Sequence, residues 1–444
     1  MRFHSSRDPI ASRRRRQTVA GLSLMLAGVS PLTGAEARSL SRLLPSDPCR
    51  VFGPLVFPQP GAHFSCPQFQ RLDGTVARVL AMSVGRSLPV TAASAGFVYR
   101  FDPETAAFER ETAIPGQLFL ETTDPVGKGR WNVDLNYQRV HFDEFEGQDL
   151  DRLHDTHPPI ALTVKSNLFA PQRIPLTIPL FGVDLDTHQW TASTTYGVTD
   201  DLDLNLTLPL VYSTLDVSAR FGLPALPVGP STPPCTTATC DLGDSKVGLG
   251  DIFLRGKLRL LARAWGQAAA GLVMRIPTGD PNNFEGTGDL EIAPMFYAES
   301  ARFQVGDLIS LKSYFNGGLD LDAEDVGRSE GRWGIGLDVE IAQRATVGVA
   351  FLARHAFERL GRAGVFDVPR CARVDGFTCT RLTPRPSPLF GFENERPDFY
   401  DLSTGIRINV WGDTVIAFAN ARVALNDDGV RASVIPLVGL EATF

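Results

Sequence analysis

The sequence predicts an all-β fold: a transmembrane antiparallel β-barrel of about twelve strands (fourteen is the alternative) preceded by an N-terminal plug or periplasmic segment. Three observations carry this. From Gly129 onward the chain alternates apolar and polar residues with period two. The turns between these runs alternate short and long. All five tryptophans, at 131, 190, 265, 333 and 411, fall at strand ends or in turns, where indole prefers the membrane interface.

The runs follow in order. Trp131, Val133, Leu135 and Tyr137 alternate with Asn132, Asp134, Asn136 and Gln138. Trp190 to Tyr196 form the second run and lead into a tight turn at 197–201. Leu202, Leu204, Leu206, Leu208 and Leu210 then face one way against Asp203, Asn205 and Thr207. A helix would scatter those leucines around its circumference. Nine more runs are Ile252–Leu260, Ala268–Ile276, Leu290–Ala298, Ile309–Leu319, Ile335–Ile341, Val347–Ala353, Tyr400–Val410, Val415–Val423 and Val434–Phe444. Each is close to the ~9–11 residues of a tilted membrane strand. With Gly129 on the periplasmic side, the turns at 197–201, 262–267, 342–346 and 411–414 are periplasmic and short, and that at 299–307 is somewhat longer. The segments 142–187, 213–247 and 356–398 are then external and long, the asymmetry of bacterial barrels.

The final run places Val438, Leu440, Ala442 and Phe444 on one face. An unpaired, aromatic-tipped edge invites aggregation, whereas a strand that pairs with the first one closes a barrel. This ending resembles the C-terminal signal of outer-membrane barrels, which makes Phe444 the expected assembly signal and the barrel-assembly machinery an expected partner. At the other end, Arg13–Arg16, the apolar run 19–29 and Ala35-Glu36-Ala37 describe a secretory signal over 1–37, cleaved after Ala37. That apolar run is too short for the ~20 residues of a spanning helix. The segment carries six arginines against two acids, so its loss takes the formal charge from −7 to −11. An acidic chain without a basic stripe argues against a nucleic-acid partner.

The six cysteines fall into close pairs, Cys49 with Cys66, Cys235 with Cys240 and Cys371 with Cys379. Behind a secretory signal they read as disulfides. Connectivity is open, with nearest-neighbour pairing expected. No pair has C-x-x-C spacing, so no metal site is expected of them.

Several short pieces, Tyr196–Leu202, Gly248–Ile252, Pro277–Asp280, Leu425–Gly429 and the terminal strand, stand in an order and spacing that resemble the outer-membrane barrels associated with meta-pathway phenol degradation. That family is loosely akin to fatty-acid and aromatic-hydrocarbon channels. The resemblance covers most of 129–444 and implies a passive channel for small hydrophobic or aromatic compounds. Residues 38–128 and the loop 142–187 depart from it. The competing expectation is a non-transporting surface protein, whose long loops bind a partner while the barrel anchors it in outer-membrane lipid.

By parity the inward face carries both signs. Arg255, Lys257, Arg259 and Arg275 lie on adjacent strands, and Asp289, Glu291, Lys312, Asp338 and Glu340 on later ones. Folding the hairpins about their turns predicts Arg275 opposite Asp289 and Lys312 opposite Glu340, pairs that brace a narrow barrel rather than filter ions. The last two strands turn Ile416, Phe418, Ile435 and Leu437 inward, an apolar stripe that is either the seat of a plug or a solute path. Residues 38–128 offer a plug, with a short helix expected over Thr75–Ser87 and a hairpin beginning near Gly96. They could equally lie in the periplasm or add two strands. Histidines 141, 154, 157, 188 and 355 lie in or beside external loops without a serine partner, and the acidic runs 143–155 and 320–325 lack EF-hand spacing. Neither catalysis nor a cofactor is expected.

Overall fold

The computed structural model describes residues 39–40, 84–86, 88, 119–145, 147–152, 180–220, 239–306, 308–342, 344–357, 397–411 and 414–444, and the backbone of short strand pieces elsewhere. The signal segment and most of 41–118 lie outside the described residues. Twelve antiparallel strands form the wall: β1 (Trp131–Phe142), β2 (Leu180–Gly197), β3 (Leu202–Arg220), β4 (Ile252–Arg263), β5 (Gly266–Ile276), β6 (Glu291–Ser300), β7 (Ile309–Asp322), β8 (Glu330–Ile341), β9 (Ala345–Ala356), β10 (Asp398–Trp411), β11 (Val415–Ala424) and β12 (Val434–Thr443). Each pairs with the next in sequence, and β12 pairs with β1 through Leu440↔Leu135 and Thr443↔Asn132, so the sheet closes. At the seam Trp131 and Phe444 exchange both backbone hydrogen bonds, at 2.8 and 2.9 Å. Closure leaves no sheet edge in the wall, the condition for strands to cross lipid.

The faces are inverted relative to a water-soluble barrel. On β1, Leu135 is 59% exposed while Asn132, Asn136 and Gln138 are buried; on β3, Leu204 is 51% exposed while Asp203, Asn205 and Thr207 are buried. Apolar residues point out and polar ones in because the outer solvent is hydrocarbon. Trp265 and Trp411 stand exposed at one end of the barrel, in or beside its short turns. Towards the other end Tyr137, His188 and Trp190 stack on the outer face, as do Trp333, Phe351, His355 and Tyr400. No helix among the described residues is long and apolar enough to cross a membrane.

Two expectations about strands are corrected. The fourteen-strand alternative is not adopted: Val98–Asp102 and Ala107–Thr112 pair with each other, not with the wall. The segment 213–247 is not all loop, nor is 180–187. β2 and β3 run on past the barrel's rim together, and a further strand, Thr239–Leu249, pairs with β3 from Arg220 to Leu210. Acidic residues facing water, Asp184, Asp186 and Asp216, made this stretch read as loop. Their neighbours Val183, Leu185, Leu215 and Val217 keep the alternation and are buried inside.

That inner face is where the core sits. Leu40, Val84 and Leu88 of the N-terminal segment pack with Val140, Phe142, Leu185, Leu215, Phe284 and Ile435 in one cluster at the end of the lumen away from the short turns. Residues 84–86 are helical, within the expected helix, and Leu88 donates back to the Val84 carbonyl at 3.1 Å.

Candidate functional site in the lumen

Residues 119–129 form a strap that runs along the inner wall and carries the site. It is irregular in conformation, so its backbone groups need partners, and the wall supplies them. Lys257 on β4 donates to the carbonyls of Thr122 and Asp124, both at 3.1 Å. Glu299 on β6 accepts from the Thr123 amide at 3.1 Å, and Asp203 on β3 from the Val126 amide at 3.0 Å. Lys312 on β7 sits between Asp124 (3.2 Å) and Glu299 (2.7 Å), and Arg255 lies 3.6 Å from Glu121. Burial alone would raise the Asp124 carboxyl, but the Lys312 ammonium outweighs it by charge and hydrogen bond and holds the group below its ordinary value.

The strap leaves at a glycine step. Gly129 adopts φ +75° and its amide donates to the Gly197 carbonyl at 2.8 Å, while the Gly197 amide returns to Arg130 at 3.0 Å. A Cβ on Gly197 would overlap the Gly127 carbonyl, so this approach needs glycine.

The apolar stripe faces the other side of the strap. Ile416, Phe418, Ile435 and Leu437 are all buried on the inner face. Phe418 and Leu437 pack against Phe119, while Ile435 joins the upper cluster with Leu40 and Val84. The Phe418 ring lies over Gly439 on β12, where a Cβ would displace it. Leu120 packs with Tyr314 and Ala350.

Both predicted cross-strand pairs are corrected by one step of the same parity. Arg275 lies opposite Glu291, not Asp289, and Lys312 lies opposite Asp338, not Glu340. A shift of two residues keeps every side chain on its face, so alternation cannot detect it. Asp289 pairs with Arg328 at 2.7 Å, and Glu340 accepts from Ser310 at 2.6 Å. Arg259 sits at the turn beside Asp201 rather than in the lumen, and Glu291 lies 3.3 Å from Arg86 of the N-terminal segment. The side chains of all six cysteines lie outside the described residues.

The residues that sequence reasoning missed are the acceptors and donors between segments. Asp251 takes Arg275 Nε (2.7 Å), the Gly279 amide (3.1 Å) and the Thr287 amide (2.8 Å), while Thr278 Oγ1 donates to the Gly250 carbonyl at 2.6 Å. The stretches Gly248–Ile252 and Pro277–Asp280 therefore meet and fold the 277–290 loop over the lumen, with Phe284 buried beneath it. Arg275 also donates to the Gly85 carbonyl at 2.8 Å, and Arg354 to that of Arg86 at 3.1 Å. Beside the strap remains a cavity of about 210 Å³, lined by Phe119, Leu120, Arg255, Tyr297, Trp333 and Arg422 among others. Among the described residues no group of three His, Cys, Asp or Glu side chains is set to ligate a metal ion.

No family model matches this chain, and no curated protein matches it. Among solved structures, the COG4313 outer membrane channel from Pseudomonas putida F1 is 11% identical with a TM-score of 0.38, over 72% of this chain and 98% of that one. The CymD monoaromatic hydrocarbon channel is 7% identical with a TM-score of 0.29, over 72% and 89%. The translocator domain of the autotransporter NalP from Neisseria meningitidis is 10% identical with a TM-score of 0.30, over 72% and 90%. Likeness at this level favours neither channel nor translocator, and the fold rests instead on the closed ladder and its inverted faces: this chain is a transmembrane antiparallel β-barrel.

Proposed function

We propose that the protein is an outer-membrane channel for the passive passage of small hydrophobic or aromatic compounds, with residues 38–128 as a plug in the lumen of the 129–444 barrel. The observation that carries this is the strap, held through its backbone by Lys257, Asp203 and Glu299 and resting on an apolar wall. Bracing alone needs only wall-to-wall pairs. Here wall charges are spent on a segment that could leave, and its departure would uncover an apolar path along Phe418 and Leu437. On this reading the chain is exported by the 1–37 signal and inserted into outer-membrane lipid through the assembly machinery, with Phe444 as the signal.

The test is conductance in planar bilayers. A chain lacking 38–128 is expected to fold, conduct more than the full-length protein and melt at lower temperature; equal conductance would sink the plug. The transport claim is tested by growth: a deletion strain that grows on hydrophobic aromatics as well as its parent would overturn it. One observation favours the surface-protein reading. The projection formed by β2, β3 and Thr239–Leu249 stands beyond the rim, where a transport barrel needs no wall.

A further inference from the structure

The strand Thr239–Leu249 has a neighbour on one side only. It pairs with β3 from Arg220 to Leu210 and, among the described residues, stands at the edge of the sheet. The wall beside it explains why. β5 pairs with β4 as far as Ile276↔Ile252, and the chain then turns inward instead of running on. Thr278 and the Gly279 amide bind back to Gly250 and Asp251, and Phe284 is buried in the upper cluster. Above Ile252 one row of backbone N–H and C=O groups is therefore left without a partner strand. Proteins usually blunt such an edge, because an unpaired row is a template for another strand.

Side chains on the outer face of this edge set what the added strand must carry. Gly243 lies opposite Asp216 of β3, and a Cβ there would overlap Asp216 Oδ1. The Asp216 carboxylate thus lies over the glycine, on the edge strand itself. It is exposed and makes no hydrogen bond or ion pair among the described residues. On its other side stands a second exposed acid, Asp184, directly opposite it on β2. Asp184 has His141 at 3.6 Å. Like charges directly opposite each other are destabilising, and a cation at the edge relieves them. Four residues after Gly243, Val247 is 64% exposed on the same face. It lies opposite Tyr212, which packs with His188 of the aromatic girdle.

We propose that Thr239–Leu249 is a docking edge for an extended segment of another protein. The segment joins the sheet antiparallel, with a lysine or arginine opposite Gly243 and an apolar side chain opposite Val247. Backbone hydrogen bonds supply the affinity, and these two side chains supply the choice. The basic residue meets Asp216, and a spacing of four keeps the apolar one on the same face. An acidic segment is repelled by Asp216 and Asp184. This goes beyond the lumen's role as a solute path, since the barrel carries the edge whether or not it conducts.

The experiment is fluorescence-anisotropy titration of full-length protein in lipid nanodiscs. The probe is a labelled threonine- and serine-based peptide with a valine four residues before a single lysine. It is expected to bind, and to bind about fivefold more weakly when glutamate replaces the lysine, the scale of one cross-strand charge pair reversed. Asp216→Asn should remove most of that difference. Two further peptides are N-methylated at alternate amides, one at each set. Only one set faces the edge, so one peptide should lose binding and the other keep it. Heat-modifiable migration on gels reports that the variant barrel is folded. No binding, equal binding of the two methylated peptides, or a lysine preference that survives Asp216→Asn would overturn the docking edge. So would self-association of the protein that the peptide does not reverse, which assigns the edge to a second copy. None of these readings involves conductance, so the docking edge and the channel stand or fall separately.

Discussion

The two sides of the lumen grip the same strap by opposite means. Along β3, β4, β6 and β7 the wall is charged, and Asp203, Lys257, Glu299 and Lys312 take the strap from Thr122 to Val126. Along β11 and β12 it is apolar, and Phe418 and Leu437 take Phe119. The charged grip is specific in register but stands on buried ions, each costly if left alone. The apolar grip is non-directional and tolerates sliding. A segment held this way is placed by one side and merely covered by the other.

The largest effect expected is from Lys312→Met, which strands Asp124 and Glu299 together. Removing one partner from a buried ionic group costs about 3–5 kcal/mol, and the melting temperature of the refolded barrel reads it. Neutralising the acids as well, by Asp124→Asn with Glu299→Gln, should restore most of the loss. Without that rescue, the charged side would not be the specifying one.

Next is Gly197→Ala, which drives a Cβ into the Gly127 carbonyl and costs about 1–3 kcal/mol, as overpacking does. Limited proteolysis should then find the strap between Glu121 and Gly129 more accessible. Phe119→Ala removes apolar contact worth up to about 1.5–3 kcal/mol, less in practice because the ring is only partly buried. Hydrogen exchange at the Thr123 and Val126 amides should stay slow in this variant. Fast exchange there would mean that the apolar grip places the strap too.

Acid supplies a fourth test, and its sign is fixed by Asp124. A carboxyl held below its ordinary value adds stability above the ordinary carboxylate range and loses it as pH falls through the folded value. The share of strap protection that Asp124 carries should therefore be lost only below the ordinary carboxylate range, and Asp124→Asn should abolish that loss. The smallest effect belongs to Arg259→Ala. Its partner Asp201 is exposed at a turn, so the change should stay within about 1 kcal/mol. A large loss there would mean that charge itself, rather than buried charge, is what matters.

The wall was legible from the sequence because lipid and lumen impose opposite chemistry on alternate residues. Leu204 and Asn205 could not both face inward. The inward placement of Arg255, Lys257, Lys312 and the Phe418 stripe followed from the same parity. Register did not follow, since Arg275 against Asp289 and against Glu291 satisfy parity equally, and the length of the turn decides. The strap was illegible for another reason. Thr122, Thr123 and Asp124 have no period, and what fixes them is Lys257 and Lys312, well over a hundred positions away.

The seam between Trp131 and Phe444 joins residues about three hundred positions apart. Contacts of such separation are slow to form, because the loop entropy of everything between must be met before they yield anything. Eight of the remaining wall pairings join strands linked by shorter turns, and three, β1 to β2, β3 to β4 and β9 to β10, join strands across longer excursions. Assembly should therefore run through an open, curved sheet whose two free edges are β1 and β12. Strap and upper cluster, being built on both sides of that opening, complete with it. The lifetime of the open sheet sets the window in which its edges can pair wrongly.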